Sequence, residues 1–317
     1  MHGRFTWYEL YTTDVAAAKR YYPAITGWGV ERWGESESDD PYEMWTAGGV
    51  PFAGLMALTP DMKATGAPPH WLSYVEVTSA DETIKKAIGM GAKVAAGPET
   101  VPTVGVLAVL TDPQDAVFAI LQSENPSQGF DGTASLGKPS WHELMTTDYK
   151  AAFAFYSALF GWTKISEADV GGGMTYMEFG AHSGTKAVGG MFNRGGPMAN
   201  VPPNWLVYTN VRDAKGSVGA ITRGGGTVIN GPMEVPGGTW ITAFTDPQGV
   251  AHAVHSVPEK AAAAAKPAKA KATAKKPSKA KPKSKKKDKK KDKKAKRKAR
   301  KEKKKAKKAA RKAKKKR

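Results

Sequence analysis

Two glutamates stand in matching surroundings in the two halves of the chain, and they are the residues best suited to chemistry. Glu9 lies in the run WYEL (7–10), and Glu143 lies in the run WHEL (141–144), 134 positions later. On a strand, side chains two positions apart share a face. Glu9 would therefore share its face with Trp7 and Tyr11, and Glu143 would share its face with Trp141 and Met145. A carboxylate in such surroundings can accept hydrogen bonds from a ligand, and desolvation raises its pKa towards values useful for proton transfer. The alternative is that each glutamate binds a backbone amide or an arginine and only pins its sheet.

The repeat extends far beyond the two glutamates. The pairs Gly-Trp at 27–28, Trp-Leu at 71–72 and the run TDPQ at 111–114 all recur at the same offset of 134 residues. A constant offset over a hundred residues indicates the duplication of a whole domain rather than a short solenoid repeat. The sequence therefore predicts four segments: a first domain over 4–123, a linker over 124–137, a second domain over 138–257, and a tail over 258–317.

Strand and helix signals alternate in the same order in both copies. Residues 5–11 alternate as in a strand, Asp14 and Asp148 are predicted to begin helices as N-caps, and Gly27 and Gly161 are predicted to end them. The predicted buried face of the first helix includes Ala17. Ser79 begins a second helix in the first copy, with Glu82 completing a capping box. Further strands are predicted over 42–47, 52–58, 71–77, 106–111 and 116–121, with counterparts over 175–180, 187–192, 205–211, 240–245 and 250–255. Each domain is thus expected to be α+β and to hold two strand–helix–strand–strand–strand units.

This order of motifs resembles a known family. A strand, the triplet TTD, a helix ending in FYxxLFGW (155–162) and the run TDPQ before the last strand resemble the glyoxalase/bleomycin-resistance/dioxygenase group, also called the vicinal oxygen chelate superfamily. More narrowly, the chain resembles tandem bacterial proteins related to lactoylglutathione lyase. The resemblance covers residues 4 to about 256 and implies two tandem vicinal-oxygen-chelate domains, each made of two βαβββ units that form one curved sheet. Lyases, dioxygenases, epimerases and drug-binding proteins share this fold, so the resemblance implies no single activity.

The resemblance also indicates where metal ligands would lie. In metal-dependent relatives they usually occupy an early position of the first strand and a position near the end of the last strand, and a histidine is common on a strand between them. In this sequence those positions hold Trp7 and Ala119 in the first copy and Trp141 and Ala253 in the second, with Leu72 and Leu206, or their neighbours, at the middle position. Indole, isobutyl and methyl groups cannot bind Zn, Ni or Fe. We therefore expect no cofactor. A glyoxalase-like lyase or a dioxygenase would need a remodelled divalent-metal site that recruits Glu9, Glu143 or His255.

Other residues complete the candidate ligand site. Trp7 and Trp141 are suited to stacking a planar ligand. Arg194 lies in a glycine-containing loop that suits a lid, where its guanidinium would meet an anionic ligand. His255 shares a strand face with Ala253 and could reach the same cavity; the alternative, which the sequence favours, is a place in the core or on the surface. The predicted ligand-binding residues are Trp7, Glu9, Tyr11, Trp141, Glu143, Met145, Arg194 and His255, and the catalytic candidates are Glu9 and Glu143.

The end of the chain differs from both copies in composition. Residues 260–317 hold 33 of the 49 Lys and Arg residues and three of the 29 acidic residues, which leaves 16 basic and 26 acidic residues for the rest. The tail has no aromatic residue and cannot bury enough apolar surface to offset its ordering entropy, so we expect it to be disordered. Its lysines would bind nucleic acid or another polyanion without sequence preference. The alternative is a solubilising extension without a partner.

Composition also bounds the compartment and the function class. The chain has no cysteine, so it has neither disulfides nor thiolate ligands. No apolar run approaches the roughly 20 residues of a membrane span, and the first residues lack the pattern of a signal peptide. We expect a cytoplasmic protein without membrane insertion, associated with the nucleoid if the tail binds nucleic acid.

The preferred function is metal-independent binding of a small organic molecule. The alternatives are a metal-dependent lyase or dioxygenase and a nucleic-acid-associated protein that acts mainly through its tail. Homo-oligomerisation stays open.

Overall fold

The computed structural model describes residues 2–34, 42–126, 129–132, 134–181 and 184–257. Both repeats lie within one compact unit, Met1–Lys266. The predicted disordered tail over 258–317 lies outside the described residues. Within the part of the chain that is described, no helix has both the length and the apolar character needed to cross a membrane.

The first repeat forms one eight-stranded sheet. Its strands are β1 (Phe5–Thr12), β2 (Gly29–Arg32), β3 (Glu43–Ala47), β4 (Val50–Ala57), β5 (His70–Glu76), β6 (Lys93–Val101), β7 (Gly105–Thr111) and β8 (Val117–Ser123). They are ordered β2-β3-β4-β1-β5-β8-β7-β6 across the sheet. The helices of this repeat are α1 (Val15–Tyr21), α2 (Pro23–Thr26), α3 (Pro60–Ala64) and α4 (Ala80–Gly89).

The second repeat forms a second sheet with the same topology. Its strands are β9 (Pro139–Thr146), β10 (Thr163–Asp169), β11 (Thr175–Gly180), β12 (Ala187–Asn193), β13 (Asn204–Asn210), β14 (Thr227–Val235), β15 (Thr239–Thr245) and β16 (Ala251–Ser256), and its helices are α5 (Tyr149–Phe160) and α6 (Val218–Arg223). The order β10-β11-β12-β9-β13-β16-β15-β14 matches that of the first sheet strand for strand. Each sheet contains only strands of its own repeat. The predicted α+β class and the tandem vicinal-oxygen-chelate architecture are confirmed.

The predicted helix ends are confirmed by their capping geometry. The Asp14 carboxylate accepts a hydrogen bond from the Ala17 amide at 2.8 Å, and Gly27 ends the helical segment in a left-handed conformation with φ 74°. One detail of the prediction is wrong, because this segment consists of two short helices that meet at Pro23, which has no amide hydrogen for a helical bond. The buried residues of the segment include Ala18, Tyr21 and Ile25, while Ala17, which was predicted to be buried, stays partly exposed.

Four strands were not located by the sequence patterns, although the predicted units require them. They are the edge strands of the two sheets: β2, β6, β10 and β14. Almost every residue on β2, β6 and β10 is exposed, and β14 is mostly exposed. When both faces of an edge strand are exposed to solvent, neither face needs apolar residues. The sequence of such a strand therefore lacks the apolar–polar alternation from which strands are predicted.

The helix-bearing faces of the two sheets share one hydrophobic core. Matching contacts cross between the repeats: the Trp28 indole donates to the Gly137 carbonyl at 2.6 Å, and the Trp162 indole donates to the Gly3 carbonyl at 2.6 Å. Likewise, the Tyr22 hydroxyl donates to Asp246 and the Tyr156 hydroxyl donates to Asp112, both at 3.0 Å. The sequence distance within each pair of equivalents is the repeat offset, so the repeats pack against each other with approximate two-fold symmetry.

His142 lies in this shared core, between the two repeats. Its Nδ1 donates to the Val188 carbonyl at 2.9 Å, so Nε2 accepts the hydrogen bond from the Tyr8 hydroxyl at 2.7 Å. The ring also stacks on Phe5 with 3.6 Å between the ring centroids. Burial lowers the pKa of His142 to about 3, so the ring is neutral and serves packing rather than chemistry.

Candidate functional site

The opposite faces of the two sheets carry two separate clusters of side chains. We call the first cup the face of the first sheet that carries Trp7, Glu9, Tyr11, Tyr42 and Tyr74. We call the second cup the face of the second sheet that carries Trp141, Glu143, Met145, Tyr176 and Tyr208. Apolar residues of each cup form a cluster of their own, distinct from the shared core. Each cup is therefore built within one repeat.

In the first cup, three tyrosine hydroxyls converge on one buried carboxylate. The Tyr11 and Tyr74 hydroxyls each donate to Glu9 Oε2 at 2.7 Å, and the Tyr42 hydroxyl donates to Oε1 at 3.1 Å. The Trp7 indole in turn donates to the Tyr42 oxygen at 3.2 Å. Glu9 is 8% exposed. Since a carboxylate offers about four acceptor positions, the chain itself occupies three of them.

Strand pairing explains this convergence. Glu9 lies on the central strand β1, opposite Leu72 of β5, and Trp7 lies opposite Tyr74. On the other side of β1, Glu9 pairs with Gly54 of β4. A Cβ atom added at Gly54 would lie 2.1 Å from the Tyr42 oxygen, so only glycine leaves room for the Tyr42 ring to reach the carboxylate.

Burial, together with the charge of Glu9, keeps the phenols of the first cup protonated. Burial is the main cause that raises the pKa values of Tyr11, Tyr42 and Tyr74, and the negative charge of Glu9 raises them further. A phenol with a raised pKa remains a hydrogen-bond donor at neutral pH. The three tyrosines are thus permanent donors to Glu9.

In the second cup, two hydroxyls among the described residues hold the equivalent carboxylate. The Tyr176 hydroxyl donates to Glu143 Oε2 at 2.9 Å, and the Tyr208 hydroxyl donates to Oε1 at 3.0 Å. The Trp141 indole donates to the Tyr176 oxygen at 2.8 Å, as Trp7 does to Tyr42. The position equivalent to Tyr11 is Met145, whose thioether has no hydrogen to donate. Each oxygen of Glu143 therefore retains an acceptor position.

Glu143 differs from Glu9 in its exposure as well. Its side chain is partly exposed, whereas Glu9 is buried. Burial nevertheless raises the pKa of Glu143, and the hydrogen bonds from Tyr176 and Tyr208 act in the opposite direction. A carboxylate of this kind can accept a hydrogen bond from an incoming molecule and is the best-placed group to take a proton from it.

The closing loops of the two cups also differ. The amides of Leu58 and Arg194 donate to the carbonyls of Thr12 and Thr146, at 2.9 and 2.7 Å, which identifies Leu58 and Arg194 as equivalent residues. Leu58 is buried in the first cup, and Met62, four residues later on α3, packs against the same cluster. Gly195, Gly196 and Pro197 follow Arg194, and Met198 is 36% exposed. The loop of the first cup thus packs Leu58 and Met62 against its cluster, while Met198 of the equivalent loop is exposed.

The remaining predicted residues do not converge. The guanidinium of Arg194 donates to the Val201 carbonyl at 2.9 Å, near the end of β9. His255 pairs with Asn210 of β13, beyond the start of β9. Glu143 lies between them, so Arg194 and His255 occupy opposite ends of the second cup. Burial lowers the pKa of His255 to about 4, so the ring is neutral at physiological pH.

The positions that the resemblance assigns to metal ligands do meet in space. Trp7, Leu72 and Ala119 pack in one apolar cluster of the first cup. Trp141, Leu206 and Ala253 pack in the equivalent cluster of the second cup. Among the described residues, no group of three or more His, Asp or Glu side chains is arranged to hold a metal ion. The indole, isobutyl and methyl groups at these positions offer no oxygen or nitrogen donor to a divalent cation.

Four tyrosines of the cups were missed by sequence reasoning. They are Tyr42 and Tyr74 and their equivalents Tyr176 and Tyr208, each pair separated by the repeat offset of 134 residues. That shared offset is a signal that could have found them. Their contact with the glutamates depends on the pairing of β1 with β5 and of β3 with β4, which no local pattern reveals.

Comparison with known proteins identifies a family and relatives that this chain resembles. Residues 138–254 match the family described as the Glyoxalase/Bleomycin resistance protein/Dioxygenase superfamily. The chain is 31% identical over 252 residues to the putative glyoxylase CFP32 of Mycobacterium tuberculosis (strain CDC 1551 / Oshkosh), which covers 80% of this chain and 94% of that relative. It is 29% identical over 278 residues to the anthracycline biosynthesis protein DnrV of Streptomyces peucetius, covering 83% of this chain and 96% of the relative.

Solved structures agree in fold. The Mn(II)-bound glyoxalase from Novosphingobium aromaticivorans superposes with a TM-score of 0.52 at 16% sequence identity, covering 80% of this chain and 82% of that one. A mutant of 4-hydroxymandelate synthase from Streptomyces coelicolor gives a TM-score of 0.55 at 14% identity, covering 81% and 93%. At these identities the likeness concerns the fold alone.

Proposed function

The chain belongs to the glyoxalase/bleomycin resistance protein/dioxygenase superfamily, and on that premise we propose that it binds a small organic molecule in its second cup without a metal ion. The observation that supports the proposal is the hydrogen bonding and exposure of the Glu143 carboxylate. Two tyrosine hydroxyls fix this carboxylate, yet each of its oxygens keeps a free acceptor position and the side chain is partly exposed. A prepositioned acceptor beside apolar side chains is typical of a small-molecule site.

The residues around Glu143 have separate roles in this proposal. The Trp141 indole is partly exposed and offers a flat surface on which a planar ligand can stack. Tyr176 and Tyr208 hold the carboxylate in place, so that it loses little freedom when a ligand binds. Arg194 lies at the end of β9, where it suits an anionic substituent of the ligand. The names of the relatives, a glyoxylase and proteins of anthracycline biosynthesis, agree with a small organic ligand.

The first cup is proposed as the closed counterpart of this site. Three hydroxyls already occupy Glu9, and Leu58 and Met62 cover the cup. A ligand would have to displace hydrogen bonds and apolar contacts that the folded chain already makes. Trp7, Glu9 and Tyr11 would then stabilise the repeat, as the alternative role for the glutamates predicts.

A screen of aldehydes, glutathione adducts and aromatic compounds by thermal shift tests the proposal. Hits are then titrated calorimetrically with the full chain, with Glu143→Gln and with Glu9→Gln, each in EDTA and in Mn²⁺. We expect hits to bind the full chain and Glu9→Gln equally in both buffers and to bind Glu143→Gln more weakly. Trp7→Phe is a second first-cup control should Glu9→Gln unfold. Binding that requires Mn²⁺, or that is lost in the first-cup variants alone, would contradict the proposal.

A second function is proposed for the tail, on the basis of its charge. The 33 Lys and Arg residues of 260–317 face only three acidic residues, a composition suited to binding polyanions through counterion release. The test compares the full chain with a chain ending at residue 259 on immobilised double-stranded DNA. We expect the full chain to be retained at low salt and released as salt rises, and the shortened chain to pass through. Equal retention of both would remove the tail from this role.

A further inference from the structure

The first cup contains, within its own chain, a group that the second cup lacks. Tyr11 presents an aromatic ring whose hydroxyl donates to Glu9 Oε2 at 2.7 Å. Its equivalent in the second cup is Met145, two residues after Glu143 as Tyr11 is two residues after Glu9. Register confirms the equivalence, since Tyr11 pairs with His70 at the start of β5 and Met145 pairs with Asn204 at the start of β13.

Apart from this one donor, the two carboxylates are held in the same way. Tyr74 and Tyr42 donate to Glu9, and their equivalents Tyr208 and Tyr176 donate to Glu143. A tryptophan indole donates to one of these tyrosines in each cup: Trp7 donates to Tyr42, and Trp141 donates to Tyr176. Glu143 is therefore the same hydrogen-bonded acceptor with one aromatic hydroxyl removed.

The surroundings of the missing group suit an aromatic ring. In the first cup, the Tyr11 ring lies in a cluster with Leu72, Tyr74 and Ala119. The equivalents Leu206, Tyr208 and Ala253 form the cluster of the second cup, and Trp141 packs against them while staying partly exposed. The apolar lining that accommodates a phenol in one cup is thus retained in the other.

The second cup is also less filled by its own chain. Val104 packs against the first cup, whereas its equivalent Gly238 has no side chain. Met62 packs against the first cup, whereas its equivalent Met198 is exposed. Leu121, buried in the first cup, is replaced by the polar His255. These replacements leave the second cup with fewer apolar side chains of its own.

From these differences we infer that the ligand of the second cup is a hydroxylated aromatic molecule, whose ring hydroxyl donates to Glu143 as the Tyr11 hydroxyl donates to Glu9. The inference rests on the proposed function and names its ligand class. Met145 is then the residue that determines specificity, because a tyrosine there would supply the hydroxyl from within the chain.

The test uses three bicyclic probes that differ only in the hydroxyl: 2-naphthol, its methyl ether 2-methoxynaphthalene, and naphthalene. Their dissociation constants are measured by quenching of tryptophan fluorescence in the full chain. A hydrogen bond to a charged group favours 2-naphthol over its methyl ether by about tenfold or more. Glu143→Gln should weaken 2-naphthol towards the value of the ether and leave the ether unchanged.

Variants at position 145 show whether binding depends on a free acceptor for the hydroxyl of the ligand or only on the space that the side chain leaves. Met145→Tyr, which recreates the first cup, should abolish 2-naphthol binding, whereas the apolar control Met145→Leu should keep it. Circular dichroism and thermal melting establish that each variant is folded. Glu9→Gln and Trp7→Phe serve as first-cup controls and should leave the preference for 2-naphthol intact.

The outcomes distinguish this inference from the proposed function. Equal affinities for 2-naphthol and its ether, both lost in Met145→Tyr, would overturn the hydroxyl inference and leave the second cup as a binding site. A preference for 2-naphthol that persists in Glu143→Gln would overturn it as well. If none of the three probes binds, the inference fails, and the wider screen decides the proposed function separately.

Discussion

The two cups share a glutamate, a tryptophan and two tyrosines, but they differ in how far the chain satisfies the carboxylate. Three hydroxyls donate to Glu9 and two to Glu143. The difference arises at one position, Tyr11 against Met145. Under the proposed function, the duplicated site has diverged: the first copy became part of the protein's own stable structure, and the second kept an acceptor for an outside molecule.

Coverage of the cups follows the same division. Thr59 caps α3 through a hydrogen bond from the Met62 amide at 3.2 Å, and this short helix brings Met62 onto the first cup. The equivalent loop has Gly195, Gly196 and Pro197 in place of that cap and leaves Met198 exposed. Thus the cup with the satisfied carboxylate is also the covered one.

The largest expected effect comes from removing each carboxylate. Glu9→Ala leaves three hydroxyls without their acceptor, and Glu143→Ala leaves two. Since an unpaired buried polar group costs about 1–3 kcal/mol, we expect Glu9→Ala to lower the free energy of unfolding by about 3 kcal/mol and Glu143→Ala by about 2 kcal/mol. Urea unfolding followed by circular dichroism measures both. A smaller loss for Glu9→Ala than for Glu143→Ala would break the comparison.

A smaller effect is expected from the two methionines of the closing loops. Met62 packs against the first cup but is only partly buried, so Met62→Ala should lower the free energy of unfolding by about 1 kcal/mol, less than the roughly 2–5 kcal/mol of a fully buried methionine. Met198 is exposed, so Met198→Ala should change it by less than about 0.5 kcal/mol. The same urea titrations provide the measurement. Equal losses would mean that both loops cover their cups alike.

The smallest effect at neutral pH concerns the shared core, where the repeats differ at His252 and its equivalent Phe118. Burial lowers the pKa of His252 to about 3, below its ordinary value of 6.5. The unfolded chain therefore binds the proton more readily, and the folded state loses stability as pH falls from 6.5 towards 3. His252→Phe should lose less stability than the natural chain between pH 7 and pH 5.

The readout for His252→Phe is the change of unfolding free energy with pH, because the variant also loses the 3.0 Å hydrogen bond between His252 and Thr209 at every pH. Phe118→His is the matched variant in the other repeat and should increase the loss at acid pH. If the pH dependence of His252→Phe equals that of the natural chain, another group is responsible for it.

Much of the fold could be predicted because its signals are local. Asp14 and Asp148 mark helix starts by their side-chain chemistry, and the constant offset of the landmarks indicates two copies of one domain. The edge strands β2, β6, β10 and β14 could not be located, since they are held by a neighbouring strand and not by an apolar face. The position of His142 could not be predicted because it depends on packing between the repeats.

The candidate site could be predicted only in part, for a related reason. Alternation on a strand correctly places Glu9 beside Tyr11, and the two side chains form a hydrogen bond. The donors Tyr42 and Tyr74 come from other strands, so they depend on register across the sheet. Arg194 and His255 were predicted to share one site, but they lie at opposite ends of the second cup. The pattern of a single strand does not reveal how far apart residues on two different strands lie.

The most direct test of the difference between the cups follows the two indole N–H groups. Trp7 and Trp141 each donate to a tyrosine next to the glutamate of their own cup, so their ¹⁵N–¹H resonances, assigned with Trp7→Phe and Trp141→Phe, report on the two cups separately. On titration with 2-naphthol, the resonance of Trp141 should shift while that of Trp7 stays in place. A shift of the Trp7 resonance without one of Trp141 would contradict the assignment of the second cup as the binding site.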